Sequence, residues 1–290
     1  MLSLHTNNAA LSAQSSISKT QGTLSTSMTR LSTGYRINSA MDDAAGLQIA
    51  TRLKAQTAGM TVAMSNTQNS TSMLQTAMGA FNEVTNMLVR MKDLATQAAD
   101  ASSSANDKTA MQAEYNALGQ ELYNVMTNTT FGGTKLLGNG TGTTGTLSSA
   151  MTFQIGASAS ETMGVDLTAG MATLTATLTG ATTNFSNAGS TTATELTANA
   201  NATITKLATA IDNVSTVNSA LGAAANRLDH INNNLANISS NTKAATGRIM
   251  DTDFATESSS MTASQMLLQA GTAMLKQSNS MSSMVMSLLQ

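Results

Sequence analysis

The pattern that most constrains this chain lies between Met250 and Gln290. Leu267, Met274, Met281 and Leu288 recur every seven positions, and Met261, Leu268 and Leu275 form a second row at the same spacing. Seven residues is two helical turns, so both rows project from one side of an α-helix as a broad apolar stripe. One helix cannot bury such a stripe alone. The opposite end of the chain carries a matching series, Ile17, Gln21, Leu24, Met28, Leu31 and Tyr35, with Leu4 and Leu11 before it. The spacing predicts that the two termini pair as helices and that the apolar surface left over packs against other copies of the chain. The residues expected to form these seams are Leu4, Leu11, Leu24, Met28, Leu31, Leu267, Met274, Leu275, Met281 and Leu288.

Nothing in the composition interrupts long helices, because the 290 residues include no Pro. No Cys is present either, which excludes disulfides and thiolate metal sites. Charged residues make up 10% and the net charge is −2, too little for the electrostatic footprint of a nucleic-acid partner. Aromatics are 3%, so Ala, Met, Ser, Thr, Asn and Gln must fill the interfaces between helices. Such neutral, small-featured surfaces suit close helix packing and repeated self-contact, since little charge has to be desolvated. No run of about twenty apolar residues predicts a membrane span. Met1 to Ala10 lacks the basic start and apolar centre of a cleaved secretory signal, so the expectation is a cytosolic chain or one exported by another route. An enzyme is not expected: there are two His, no Gly-x-Ser-x-Gly elbow and no His-Glu-x-x-His, and no catalytic, cofactor or metal residues are assigned.

Taken in order, the first stripe is set among Ser, Thr, Gln and Asn, which are poor helix formers alone, and Ser32-Thr33-Gly34 reads as its stop. Asn38 or Ser39 is expected to cap the next helix, with Asp42 and Asp43 near its positive end. A long helix is predicted from about Ala44 to Ala99, with Met60, Met64, Leu74, Met78, Phe81, Val84, Leu88, Met91 and Leu94 as core or seam. A return helix carries Met111, Tyr115, Leu118, Leu122 and Val125. Glycines from Gly132 to Gly145 mark turns. Thr152–Gly156 and Met163–Leu167 read as two strands about a turn near Ala159, and Leu174 to Ser190 as a Thr-rich loop of weak β character. Val214, Leu221, Leu228 and Leu235 form a seven-spaced seam with Ile231 and Ile238 beside it, and His230 is read as a surface or seam residue. The fold class is therefore mainly α: a long coiled-coil-like helical rod with paired N- and C-terminal helices and a small β-hairpin region near 128–190. Helices of forty or more residues extend about 60 Å at ~1.5 Å per residue, which predicts the β region at the end remote from the paired termini.

Five stretches then point to a family by resemblance. Ser32-Thr33-Gly34-Tyr35-Arg36-Ile37-Asn38-Ser39-Ala40-Met41-Asp42-Asp43-Ala44-Ala45-Gly46-Leu47-Gln48-Ile49-Ala50 closely resembles the N-terminal signature of bacterial flagellin. Leu221–Leu228, Arg248–Glu257 and Ser287-Leu288-Leu289-Gln290 resemble its C-terminal signature, and Phe131–Leu137 looks like the loop before its β-hairpin. The resemblance implies the structural subunit of a bacterial flagellar filament used for motility, with a hook–filament junction protein as the alternative. It implies an inner helical domain from 1–43 with 251–290, and a helical rod from 44–250. The stretch between Leu167 and Ile204 is too short for a large outer domain, which suggests a short flagellin and leaves polar or lateral type open. The resemblance also implies type III export to a secreted filament, self-polymerisation, a flagellar export chaperone on the C-terminal helix, a filament cap and hook-associated junction proteins. The innate receptor TLR5 is a further implied partner, through Arg90, Leu94 and Glu114. No cofactor, nucleic acid or membrane insertion is implied. Strong heptads built from poor helix formers predict terminal segments that order only on polymerisation.

Overall fold

The computed structural model describes residues 7–138, 142, 144–186 and 193–288, with side chains through Met281. They form two compact units, one from residues 1–57 with 240–290 and one from 58–239. Seven helices carry most of the described chain: α1 (Asn8–Thr33), α2 (Ala44–Ala99), α3 (Ala105–Asn128), α4 (Thr168–Ala181), α5 (Thr183–Ser186), α6 (Glu195–Met250) and α7 (Phe254–Leu288). Four short strands, β1 (Thr130–Phe131), β2 (Thr134–Lys135), β3 (Met151–Gln154) and β4 (Thr162–Val165), pair as two antiparallel hairpins.

A chain so rich in hydroxyls stays helical because the hydroxyls are satisfied within the helix. Along α1, Thr20, Thr26, Thr29 and Thr33 each donate to the carbonyl four residues back, at 2.9–3.1 Å. This removes their competition for other backbone groups. In α2 the same bond recurs at Thr71, Thr76, Thr85 and Thr96. Helix α2 starts as predicted at Ala44, but its cap is Asp43, whose carboxylate accepts from the Gly46 amide at 2.8 Å. Asn38 and Ser39 instead donate their amides to Asp42, at 3.0 and 2.9 Å, and close the turn before the helix. The loop residues thus act as donors to Asp42 rather than as the cap. Helix α3 opens with a full capping box between Ser104 and Asp107.

The unit spanning 58–239 is held by one large core. From α2 it takes Leu74, Phe81, Val84, Leu88 and Met91, from α3 Tyr115, Leu122 and Met126, and from α6 Leu207, Val214, Leu221 and Leu228. Asn82 lies opposite Asn218 and Thr67 opposite Asn232, so α2 and α6 run antiparallel. The predicted α6 seam is buried through Leu235, whereas Ile238 turns outward. Helix α6 is interrupted at Asn199, whose backbone is extended. The Asn199 side chain accepts from the Ala202 amide at 3.3 Å and so caps the helix anew.

Two expectations for the middle of the chain are corrected. Of the expected Thr-rich loop over 174–190, residues 174–181 lie in helix α4 and 183–186 in α5, while 187–190 lie outside the described residues: Met171, Leu174, Leu178 and Ala181 are buried in the core, and Thr173, Thr175 and Thr179 donate to their own helix. The β region does not lie at the remote end of the long helices. The β3–β4 turn sits over the first third of α2, where a Cβ on Gly59 would come within 2.6 Å of the Ala157 Cβ. Strand register pairs Met151 with Val165 and Gln154 with Thr162, close to the predicted strands. The shorter hairpin turns through Gly132 and Gly133, both with positive φ, the two-residue geometry that glycine pairs favour.

Candidate functional site

In the unit of residues 1–57 and 240–290, the two chain ends are joined twice. At the linkers, the Arg36 amide donates to the Met250 carbonyl at 2.6 Å, its guanidinium donates to the Ile249 carbonyl at 2.8 Å, and the Thr252 amide donates to Gly34 at 3.0 Å. Tyr35 and Asp251 form an antiparallel bridge here. These contacts bring together Ser32–Ala50 and Arg248–Glu257, two of the stretches that carry the resemblance. Beyond them α1 and α7 pack antiparallel. Arg30 lies 3.6 Å from Glu257, Asn7 donates to the Ser278 carbonyl at 3.2 Å, and a Cβ on Gly271 would lie 2.9 Å from Ile17 Cγ1.

The packing divides the apolar stripes. On α7 the half-buried residues are Glu257, Met261, Ser264, Leu268, Gly271, Leu275 and Ser278, alternating four and three apart. On α1 the half-buried Ile17, Thr20, Leu24 and Leu31, with the buried Ser27, keep the same spacing. The register set by Ile17 with Gly271 also brings Leu24 level with Ser264 and Thr20 level with Leu268. Large side chains of one helix thus meet small ones of the other, which lets the axes approach closely. Of the predicted seam residues, Leu24, Leu31 and Leu275 are drawn into this intramolecular pair. The small row Ser264, Gly271 and Ser278 escaped the apolar reading, although it too repeats every seven positions.

The other seam residues face outward. Leu11 and Met28 on α1, and Leu267, Met274 and Met281 on α7, are all exposed, Met274 at 66%. Met266 and Phe254 join them; adjacency to Leu267 was the available signal for Met266. A shallow groove of about 450 Å³ runs beside Met28, lined by Gln21, Leu24, Ser25 and Thr29. Contiguous exposed apolar side chains on an otherwise hydroxyl-rich helix mark a surface meant for a partner. Leu4 lies outside the described residues, and Leu288 lies within α7 but outside the described side chains.

The three residues singled out for a receptor divide differently. Arg90 on α2 donates from Nε and Nη2 to Glu114 Oε1 on α3, at 2.8 and 2.6 Å, and both side chains are about half exposed. Leu94 is 2% exposed and belongs to the large core, so it presents no side chain to a receptor. His230 is exposed.

Electrostatics at this site is local. Asp42 is held below the usual carboxylate range by the amides of Ser39 and Asn38, and Asp253, at the start of α7, by the Thr256 hydroxyl and the Ala255 amide. Among the described residues no group of three His, Cys, Asp or Glu could hold a metal ion, and no helix is long and apolar enough to cross a membrane. What the described surface offers is apolar contact.

Comparison with known proteins gives the same two halves. Residues 4–142 match the family model of the bacterial flagellin N-terminal helical region, and residues 204–289 that of the C-terminal helical region. Flagellin A of Vibrio anguillarum is 34% identical over 390 aligned positions, covering all of both chains. Polar flagellin C of Vibrio parahaemolyticus is 34% identical over 391, again covering both fully. The alignments are longer than this chain, so these relatives carry segments it lacks. Among solved structures, a flagellar hook-associated protein from Vibrio parahaemolyticus matches with a TM-score of 0.57 at 16% identity, covering 72% of this chain and 100% of the other, a likeness of fold.

Proposed function

The chain belongs to the bacterial flagellin family, and on that premise we propose that the outward rows of its α1–α7 pair are the seams through which copies polymerise. Its function is that of a structural subunit of the flagellar filament, and it is not an enzyme. A hook–filament junction role is not favoured, because relatives matching the full length are flagellins and the hook-associated likeness is one of fold alone.

One observation carries the seam assignment: α7 keeps Met261, Leu268 and Leu275 for α1 while leaving Leu267, Met274 and Met281 uncovered. Fully burying each such side chain contributes roughly 1.5–3 kcal/mol, so a few per subunit, repeated at every neighbour, supply a strong drive to assemble. The inner domain, 1–43 with 251–290, is then the part that α1, α7 and their linkers build, and 44–250 the part built on α2, α3 and α6. The subunit leaves the cell by type III export, with a chaperone covering the α7 rows beforehand and the cap and hook-associated proteins meeting the same rows at the filament ends. The exposed Arg90–Glu114 pair is the contact offered to TLR5.

Removing Leu275–Gln290 tests the seam. Filament growth, followed by electron microscopy and sedimentation, is expected to stop, while circular dichroism shows the α2–α3–α6 core still melting cooperatively. Normal filaments from the truncated chain refute the assignment.

A further inference from the structure

The surface that α1 and α7 leave uncovered is unusual in its sulfur. Met28, Met266, Met274 and Met281 all lie exposed on the two helices. In the unit of residues 58–239 the pattern reverses: Met60, Met91, Met126, Met163 and Met171 are each buried. The chain has 21 Met and no Cys, so its thioethers are its whole sulfur chemistry. Apart from Met41, which is exposed in the loop before α2 and outside the seam, the exposed thioethers among the described residues lie on the two terminal helices, with Leu267 as the oxidation-inert member of the same row. A seam made of Leu throughout would bury as well, since Met and Leu have nearly equal volume. The use of Met gives the surface a reactivity that packing does not require.

We propose that Met274, with Met266, Met281 and Met28 exposed along the same pair of helices, is an oxidation site at which hydrogen peroxide reversibly blocks polymerisation of the free subunit. The proposal rests on the seam assignment above. A lone pair of the Met274 sulfur attacks one peroxide oxygen. The S–O bond forms as the O–O bond breaks, the departing hydroxide takes up the remaining hydroxyl proton, and water leaves. Sulfur loses two electrons and peroxide gains them. The product sulfoxide is polar and chiral where the thioether was apolar. Brought into an apolar seam it must shed its water without a hydrogen-bond donor in return. Once subunits have assembled, the same sulfurs are covered by neighbours and the reaction is shut off. Oxidation thus discriminates free subunits from incorporated ones, and a methionine sulfoxide reductase restores them.

The full-length chain is treated as monomer with hydrogen peroxide, peptide mass mapping locates the added oxygen, and filament yield is measured against an untreated aliquot. Yield is expected to fall by about tenfold or more, because an unpartnered polar group carried into the seam weakens association by at least that factor. Treatment with methionine sulfoxide reductase restores growth. Preformed filaments given the same peroxide show Met274 protected. In a chain carrying Met28→Leu, Met266→Leu, Met274→Leu and Met281→Leu, the ratio of treated to untreated yield stays near one, whatever its own yield. If that chain grows no filament, reductase rescue of the natural chain decides. Unmodified Met274 after treatment, full growth with Met274 oxidised, or an equal drop in the Leu chain overturns the proposal. Failure of the untreated natural chain to polymerise overturns the seam assignment itself.

Discussion

At Gly271 the two terminal helices approach closely, and its neighbour Ile17 has little freedom to yield. A β-branched residue in a helix holds essentially one χ1 rotamer, so a Cβ 2.9 Å from Ile17 Cγ1 must push the helices apart. Gly271→Ala gains about 1 kcal/mol of helix propensity but incurs overpacking of about 1–3 kcal/mol. The net expectation is a loss of about 1 kcal/mol in the α1–α7 pairing, the difference of those two effects. Hydrogen exchange should show faster exchange of α1 amides and unchanged protection of the α2 amides around Leu88. Slower exchange in α1 would mean that the gap is slack and the propensity gain decides. At this scale the sequence revealed the large residues of both helices, because seven-fold spacing of Leu and Met is conspicuous. It hid the small residues opposite them, since Ser264, Gly271 and Ser278 carry no apolar signal. It also could not tell which donor of the 38–43 stretch would turn to which acceptor.

Helix α4 shows how a local preference is overruled. Thr at alternate positions from 173 to 179 suggests an extended chain. Yet Met171, Leu174, Leu178 and Ala181 repeat three and four apart, and burying that face outweighs the modest helix penalty of Thr. The hydroxyls then donate to carbonyls of the preceding turn. The end of α4 is anchored by Tyr115, whose hydroxyl donates to the Ala181 carbonyl at 2.7 Å. Burial, and secondarily the charge of Glu195, pushes the Tyr115 hydroxyl pKa far above its ordinary value, so it stays a donor. Leu178 is fully buried, and Leu178→Ala is expected to cost about 2–5 kcal/mol. Thermal melting by circular dichroism should report a clearly lowered midpoint. A midpoint within a degree or so of the natural chain would place α4 outside the cooperative core. The long helices α2 and α6, by contrast, were legible almost to their ends, because no Pro interrupts them and their apolar periodicity is sustained.

For the molecule as a whole, acid acts at the helix starts. Asp42 precedes α2, Asp107 lies in the first turn of α3, Asp166 precedes α4 and Asp253 precedes α7. Each is lowered from 3.8: Asp42 chiefly by the Ser39 amide, Asp107 by the Ser104 hydroxyl, Asp166 by Thr168 and Asp253 by the Thr256 hydroxyl. A carboxyl whose folded value lies below its unfolded one binds fewer protons when folded. Its contribution is therefore fully present above the unfolded value and lost as pH falls through the folded one. Unfolding midpoints should change little on this account down to about pH 4 and then decline toward about pH 2. Denaturant titrations across that range check it, and a midpoint that holds or rises below about pH 4 would contradict it.

The bond between Asn7 and Ser278 spans 271 positions. Contacts within 58–239 can form as soon as that stretch is available, whereas α1 must wait for α7, the last helix of the chain. Closing so long a loop is entropically late. On the export route proposed above, a subunit threaded end-first through a narrow conduit emerges with its core able to set and its two extremities still searching for each other. The moment at which they meet is also the moment at which the exterior row of α7 first acquires a fixed direction, so docking onto a growing tip and completing the fold become one event.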